Sequence, residues 1–456
     1  MGNSKLRHAM LALWCLALPI CSQPPPPGYS AAVAHVQQGR FGAAIPLLEK
    51  ILASAPRDLK ARNLLGIALM SSGRKAEANV QFKKALEIDP RFHPALKNLA
   101  VNELAMGRAK DAKAHFEQAA KLVPDDAVVQ FHLGRIYFAE ERYSEAAVHF
   151  EAAQNGFPDP YQAGYNLTLA RVKARDYRAA AEAGERMLAR GLAKAELYNL
   201  LSTAYAQSGR IQEAYDALRT AIKIEPLEEA NYLDLMLLCL DHENWDLGLE
   251  ISGIALQQIP KAYKVRLQRG AAFALRGRLE EAEAEFLAGT RAAPEVGLPY
   301  VALALVQIEQ SKFEEAIQGL RKRRALNPKD YLASWILAEA IIQQGAAPES
   351  EAGKEAFQAL GDAVRANPRA AQPRALLAAQ WAKRGELNRA VSEFEAALKL
   401  APDDAATAYQ LALLYQKTGA TAKAEELFAK VGKVRAEDPS RVAPRNLVRI
   451  IREGSQ

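Results

Sequence analysis

The sequence predicts an all-α protein, an α-solenoid of about twelve stacked helix-turn-helix repeats that form a superhelix. Two observations carry this prediction. Prolines recur every 34 residues, at Pro56, Pro90, Pro124 and Pro158 and again at Pro226, Pro260, Pro294 and Pro328. Small and large apolar residues keep the same phase between these prolines. A fixed period of this length is typical of a repeat array, in which each unit buries its apolar face against its neighbours.

The second unit shows the role of each position. Gly66 is a small residue that lets the paired helix approach closely. Gly73 suits the turn, because glycine adopts a left-handed backbone at little steric cost. Ala78 and Phe82 lie four residues apart on one face of a second helix, and Pro90 ends that helix. An aspartate after the proline, as in the Pro124 and Pro402 segments, can cap the next helix.

The fourth unit carries the full consensus. Its residues are Leu133, Gly134, Tyr137, Ala146, Phe150, Ala153 and Pro158. This L-G-x-x-Y…A-x-x-x-F…A…P pattern resembles the tetratricopeptide repeat family, and twelve such units span nearly all of the chain after residue 28. The resemblance implies a groove, lined by the first helix of each unit, that binds protein or peptide partners.

Interruptions of the period divide the array into residues 29–190 (units 1–5), 191–368 (units 6–10) and 369–437 (units 11–12). Leu192 stands where the phase expects proline, and Pro368 arrives six residues late. The delay predicts an insertion near residues 346–351 that lengthens a loop. Arg323 occupies a position where a small residue is expected.

The N-terminus has the pattern of a secretory signal peptide over residues 1–22, followed by a proline-rich linker over 23–28. Lys5 and Arg7 precede an apolar run from Ala9 to Ile20. We therefore expect an exported protein, periplasmic or secreted. An alternative reading makes Cys21 the lipidated first residue of a membrane-anchored protein, although Ile20 is not the small residue that such processing favours. An uncleaved anchor is a third reading.

Composition and motifs argue against catalysis. The net charge of +6 is small for 456 residues and does not indicate nucleic-acid binding. We find no metal-binding or nucleotide-binding motif and no nucleophile elbow, so we expect no enzyme activity, cofactor or metal. Without the signal peptide, Cys239 is the sole cysteine, and its position predicts a small buried hydrophobe.

The resemblance also indicates which residues would face the groove. The candidates with polar or aromatic side chains are Asn63, Lys97, Asn98, Phe131, His132, Arg135, Tyr165, Asn166, Asn199 and Thr203. They suit an extended peptide and its carboxylates. In an alternative reading they are ordinary groove residues, with Asn98 and Asn166 bonding neighbouring helices. The later units place apolar residues at these positions, Trp335 among them, which favours a hydrophobic segment or self-packing.

The tail, residues 438–456, has arginines at helical spacing with apolar residues between them, which predicts a capping helix. A basic amphipathic helix that touches a membrane or a partner is the alternative. The sequence as a whole favours an exported, non-catalytic scaffold. The alternatives are an envelope assembly, secretion or polysaccharide-export factor, and an enzyme or sugar-binding protein with an unrecognised groove site.

Overall fold

The computed structural model describes residues 28–437, and every regular element in that range is an α-helix. The helices form twelve consecutive pairs, which confirms the predicted all-α repeat array over the described range. In chain order they are α1 (Tyr29–Gln37), α2 (Phe41–Ser54), α3 (Leu59–Ser71), α4 (Lys75–Ile88), α5 (His93–Ala105), α6 (Ala109–Leu122), α7 (Ala127–Ala139), α8 (Tyr143–Ala153), α9 (Pro160–Lys173), α10 (Tyr177–Ala189), α11 (Ala195–Gln207), α12 (Ile211–Ile224), α13 (Glu229–Asp241), α14 (Trp245–Gln258), α15 (Tyr263–Leu275), α16 (Leu279–Ala292), α17 (Leu298–Glu309), α18 (Phe313–Leu326), α19 (Tyr331–Gln343), α20 (Glu351–Ala366), α21 (Ala371–Lys383), α22 (Leu387–Leu400), α23 (Ala405–Lys417) and α24 (Thr421–Glu437).

The chain divides into two compact units, and the boundary falls after Ala217, within α12. The N-terminal unit holds α1 to α11 and the beginning of α12, and the C-terminal unit holds the rest. The division after residues 190 and 368, which follows the proline phase, stays a prediction. The signal peptide, residues 23–27 of the linker, Cys21 and the 438–456 tail lie outside the described residues.

Helix starts and turns use the residues that the repeat pattern indicates. Asp126 and Asp404 cap α7 and α23, and Oδ1 of each accepts two backbone N–H groups at 3.0 and 3.1 Å. The turn inside the second unit has Gly73 at φ 87°. Where a unit lacks glycine at that place, another residue adopts the same left-handed backbone, and these residues are Glu141, Arg175, Glu243 and Ser311. The turn geometry is therefore retained without its preferred residue.

Helix pairs close on a small residue opposite a large ring, as predicted. A Cβ added to Gly66 would lie 2.4 Å from the Phe82 ring, and a Cβ added to Gly270 would lie 2.5 Å from the Phe286 ring. Both rings are fully buried. The glycine thus sets the distance between the two helices of its unit.

The fifth unit, which has Gly184 where phenylalanine is usual, keeps its core by other contacts. A Cβ on Gly164 would meet Met187 Sδ at 2.6 Å, so Met187 takes the place of the ring. Gly184 itself faces Leu201 of α11, whose Cδ2 lies 2.5 Å from the position of an added Cβ. Flexible methionine fills the irregular space, which explains how a degenerate unit remains in the array.

Units 3 to 6 are joined, each to the next, by a side chain that reaches back twenty residues to a glutamate. Tyr205 Oη donates to Glu185 Oε1 at 3.1 Å, and Tyr137 Oη donates to Glu117 Oε1 at 3.2 Å. Arg171, at the same repeat position, donates to Glu151. The bond links the first helix of one unit to the second helix of the unit before it.

The ninth unit tolerates Arg323 because a carboxylate meets it inside the array. Arg323 Nε donates to Asp330 Oδ2 at 2.8 Å, and the two side chains are 5% and 11% exposed. Gly297 leaves the room, since a Cβ there would lie 2.0 Å from that oxygen. The unexpected arginine is therefore part of a buried ion pair.

The predicted insertion forms the connection between α19 and α20. Ser350 Oγ accepts the Gly353 N–H at 3.1 Å and so caps α20. Arg384 Nη2, from the next unit, donates to the Pro348 carbonyl at 2.9 Å. These bonds hold the longer loop against the eleventh unit.

Candidate functional site

The first helices of units 3 to 6, which are α5, α7, α9 and α11, carry most of the predicted groove residues. All four helices belong to the N-terminal unit. The first helix α3 adjoins α5, and α9 adjoins α11. We call the surface around Lys97, Arg135, Tyr165 and Thr203 the first-helix face.

Lys97 is already engaged with a carboxylate. Its Nζ lies 2.7 Å from Asp126 Oδ2, and His93 Nε2 lies 3.5 Å from the same oxygen. Burial alone would raise the pKa of Asp126, but the hydrogen bond and charge of Lys97 outweigh it and hold that pKa below its usual value. Burial also lowers the pKa of His93, against the attraction of Asp126. The cluster is therefore a compensated ion pair beside an uncharged histidine at neutral pH.

Asn63 and Asn98 bond each other instead of facing solvent. Asn98 Nδ2 donates to Asn63 Oδ1 at 2.9 Å, and the two residues are only 1% and 7% exposed, respectively. The alternative reading of Asn98 as a bond between neighbouring helices is thus confirmed. Asn166 differs from that reading, because its Nδ2 donates to the Gln162 carbonyl of its own helix at 2.8 Å.

Phe131 lies in the core, so its prediction as a groove surface residue is wrong. It is 1% exposed, and its ring stacks on Phe157 with centroids 3.8 Å apart. It also packs against the Phe150 ring at 5.5 Å. A side chain of this size gains about 1.5–3 kcal/mol from full burial, so the shared repeat position does not keep it on the surface.

His132 and Arg135 follow on α7 and differ in exposure. The His132 ring is partly buried and stacks on Phe116, with centroids 5.2 Å apart. Burial, with a smaller contribution from the Arg135 charge, lowers the pKa of His132 to about 3. Arg135 is exposed and makes no ion pair with a side chain in residues 28–437. Arg135 is therefore a cation that a partner could reach.

An aromatic and cationic cluster occupies α9 and the start of α11. The Tyr165 ring, half-buried, stacks on Tyr161 with centroids 5.9 Å apart. Lys194 Nζ lies 3.9 Å from the Tyr161 centroid, a cation–π distance. Burial, then the charge of Glu196, raises the pKa of Tyr165, so its hydroxyl remains a neutral donor.

Asn199 and Thr203 lie further along α11. Asn199 is partly buried, and Thr203 is exposed with its hydroxyl 3.4 Å from the Asn199 carbonyl. At this distance the hydrogen bond from the hydroxyl to its own helix is weak. Thr203 thus adds an exposed polar group beside the cluster.

Trp335, on α19 of the C-terminal unit, is 6% exposed and belongs to the apolar core there. Its prediction as a groove surface residue is wrong for the same reason as that of Phe131. Leu267 and Val301, at the same repeat position, are 2% and 0% exposed. These three apolar side chains are therefore packed within the array itself, in agreement with the self-packing alternative.

Sequence reasoning missed four residues of the first-helix face, His93, Asp126, Tyr161 and Lys194. Tyr161 and Tyr165 are four residues apart on one helix, so their stacking could have been read from the spacing. The position of Asp126 after Pro124 indicates a helix cap and nothing more. Its second oxygen binds Lys97, 29 residues earlier, which local spacing does not indicate.

Metal-binding groups, the cysteine and membrane spans are the remaining features to locate among the described residues. No group of three His, Cys, Asp or Glu side chains within residues 28–437 is arranged to hold a metal ion. Cys239 is buried, as predicted. None of the helices between residues 28 and 437 is both long and apolar enough to cross a bilayer.

Family comparisons agree with the repeat structure. Three family models, each described as tetratricopeptide repeat, match the chain. The first matches residues 35–102, 103–167 and 382–444, the second matches residues 195–226, and the third matches residues 301–356. The chain belongs to the tetratricopeptide repeat family. The matches fall in both compact units, and the tetratricopeptide pattern therefore accounts for both. No curated protein matches the chain.

Solved structures resemble this tetratricopeptide array only at low identity. One is Naa15/Naa10 bound to HypK-THB, at 15% identity and TM-score 0.42, with 88% of this chain and 67% of that chain covered. Another is the APC/C hetero-tetramer Cut9–Hcn1, at 13% identity and TM-score 0.41, with 99% of this chain and 96% of that chain covered. Yeast Tom70 is similar at 16% identity and TM-score 0.43, with 95% of this chain and 93% of that chain covered.

Proposed function

We propose that this tetratricopeptide repeat protein is a non-catalytic scaffold that binds a protein or peptide partner on its first-helix face. The observation that carries the proposal is that the N-terminal compact unit holds an exposed cation, Arg135 on α7, and a Tyr161–Tyr165 stack with Lys194 against it. The ring stack and the cation–π contact hold Tyr161, Tyr165 and Lys194 in place, so ordering these side chains on binding costs less conformational entropy.

The surface fits a segment with acidic side chains and a flat apolar group. Arg135 and Lys194 have no carboxylate partner among the described residues, so they can pair with acidic side chains. The tyrosine rings offer a face for packing, and Thr203 offers a hydroxyl. Lys97 contributes less, because Asp126 already compensates its charge.

Charge reversal tests this proposal. Arg135→Glu with Lys194→Glu should remove the partner from a pulldown made from the native cells. The matched control is Lys110→Glu with Lys121→Glu, which changes the same charge at exposed positions of the second helix α6. Circular dichroism checks that both proteins fold. If every captured partner survives Arg135→Glu, Lys194→Glu and Tyr165→Ala together, the first-helix face is not the binding surface.

We propose in addition that the protein works outside the cytoplasm. Support comes from the basic start and short apolar run of residues 1–22, which has the form of an export signal. Mass spectrometry of the native protein should find Gln23 as the first residue. A lipid on Cys21 would instead support the membrane-anchored alternative, and an intact Met1 would contradict export by cleavage.

A further inference from the structure

An apolar pocket opens between the last two repeats of the C-terminal unit. Its cavity of about 400 Å³ lies between α21 and α23, with Phe394 of α22 beside it. The remaining lining residues are Ala375, Leu376, Ala379, Ala406, Thr407, Tyr409 and Gln410. The pocket is well separated in sequence from the first-helix face, and the proposed function makes no use of it.

The apolar surface continues along α23 beyond the pocket. Tyr409 is 37% exposed and Leu413, one turn later, is 39% exposed. Two large side chains at this spacing lie on the same side of a helix. An apolar stripe next to an apolar pocket is typical of a surface that another helix or segment covers.

The course of α24 places the end of the described chain about 20 Å from this surface along the helix axis. Lys430 Nζ donates to the Pro402 carbonyl at 2.8 Å, so α24 runs antiparallel to α23 and passes the start of that helix. Glu437, the last described residue, lies about 10 Å further along the axis at 1.5 Å per residue. Tyr409 lies a comparable ~10 Å from Pro402 in the opposite direction.

The residues after Glu437 have the length and the composition to cover the pocket. Leu447 follows Glu437 by ten residues, a length of chain that spans up to ~33 Å when extended. That exceeds the ~20 Å of axial distance to Tyr409. Leu447 and Ile451 are four residues apart. Arg445, Arg449 and Arg452 recur at spacings of four and three residues. Such spacing gives one apolar and one cationic side if the segment is helical.

We propose that residues 444–452 of this chain dock in the pocket between α21 and α23, with Leu447 and Ile451 against Tyr409 and Leu413. The arginines then remain in solvent. This placement differs from a cap on the free end of the last helix pair, because it covers the side of the first helices. The tail would thereby close this part of the surface to other apolar segments.

Photo-crosslinking in the full-length protein tests the placement. Gln410→p-benzoylphenylalanine puts the crosslinker at an exposed position of the pocket, and Glu425→p-benzoylphenylalanine puts it at an exposed position of α24 as the control. We expect a product of monomer mass in which Gln410, and not Glu425, joins a peptide from residues 445–452. Leu447→Asp with Ile451→Asp should abolish this product.

Three results would overturn the proposal. They are crosslinking to the tail from Glu425 alone, crosslinking only in a product of dimer mass, and no crosslink to the tail from either position. Hydrogen exchange provides a second measurement, independent of crosslinker chemistry. Amides of residues 405–413 should exchange several-fold faster in the Leu447→Asp, Ile451→Asp protein, and equal rates in the two proteins would contradict docking.

Discussion

Arg323 of α18 and Asp330 at the start of α19 form an ion pair inside the C-terminal unit, with Nε and Oδ2 2.8 Å apart. Asp330 also caps α19, because its Oδ1 accepts the Ala333 N–H at 3.2 Å. One carboxylate therefore holds a helix start and a buried cation. The arginine that interrupts the repeat pattern is structurally compensated by the residue seven positions later.

Removing the arginine should destabilise the C-terminal unit. Arg323→Ala leaves Asp330 buried without its counter-charge, and breaking a buried pair from one side costs about 3 kcal/mol. Urea unfolding followed by tryptophan fluorescence measures it, since Trp245, Trp335 and Trp381 all lie in this unit. Lys322→Ala, at the exposed neighbouring position, is the control. A cost below ~0.5 kcal/mol, the size typical of a surface change, would show that the pair contributes little.

Gly270 and Phe286 allow a test of the packing inside a unit. Gly270→Ala should destabilise the C-terminal unit by about 1–3 kcal/mol, because the new Cβ meets the buried ring. Phe286→Leu in the same chain should recover part of the loss by making room. The same fluorescence measurement compares the single and double variants. Simple additivity of the two changes would contradict a direct steric conflict.

Much of the fold was predictable because its determinants are local and repeated. Gly66 and Phe82 belong to one unit, and their spacing alone places them on facing helices. The pairing of Arg323 with Asp330 was not predictable in this way. It depends on space left by Gly297, a residue that no consensus position marks.

The candidate site was less predictable than the fold. A position in the repeat indicates which side of the helix a residue is on, but it does not indicate how much of the side chain is exposed. Lys97 and Phe131 share one position in their units. The lysine stays near the surface beside Asp126, whereas the phenylalanine is drawn into the core by its own apolar area. The identity of the side chain thus decides whether a groove position is accessible to a partner.

Acid should weaken the N-terminal unit through His132. Its pKa is lowered to about 3 in the folded protein, mainly by burial, whereas an unfolded histidine binds a proton below about 6.5. Its contribution is therefore fully present above pH 6.5 and is lost as the pH falls toward 3, by up to about 1.4 kcal/mol per pH unit. His132→Phe keeps a ring against Phe116 and cannot bind the proton.

Urea unfolding at pH 7 and pH 5, followed by circular dichroism, measures this effect. The loss of stability on acidification should be smaller for His132→Phe than for the parent protein. His242→Gln, at an exposed histidine, is the control and should behave like the parent. Equal acid sensitivity of the parent and His132→Phe would mean that protonation of other groups accounts for the loss.

Alkali should weaken the bond between units five and six. Burial, then the charge of Glu185, raises the pKa of Tyr205 to about 12, whereas an unfolded tyrosine ionises near 10. The contribution of Tyr205 is therefore present below pH 10 and is lost as the pH rises toward 12. Tyr205→Phe removes the hydrogen bond to Glu185, which costs about 1 kcal/mol at pH 7, and also removes this dependence on pH.

Unfolding curves at pH 8 and pH 11 separate these two consequences for Tyr205. The free energies of unfolding of the parent and of Tyr205→Phe should differ at pH 8 and approach each other at pH 11. Glu185→Gln should retain part of the alkaline loss, because burial is the larger cause of the raised pKa. A parallel decline of the parent and Tyr205→Phe between the two pH values would instead assign the alkaline loss to other groups and leave the tyrosine a purely structural role.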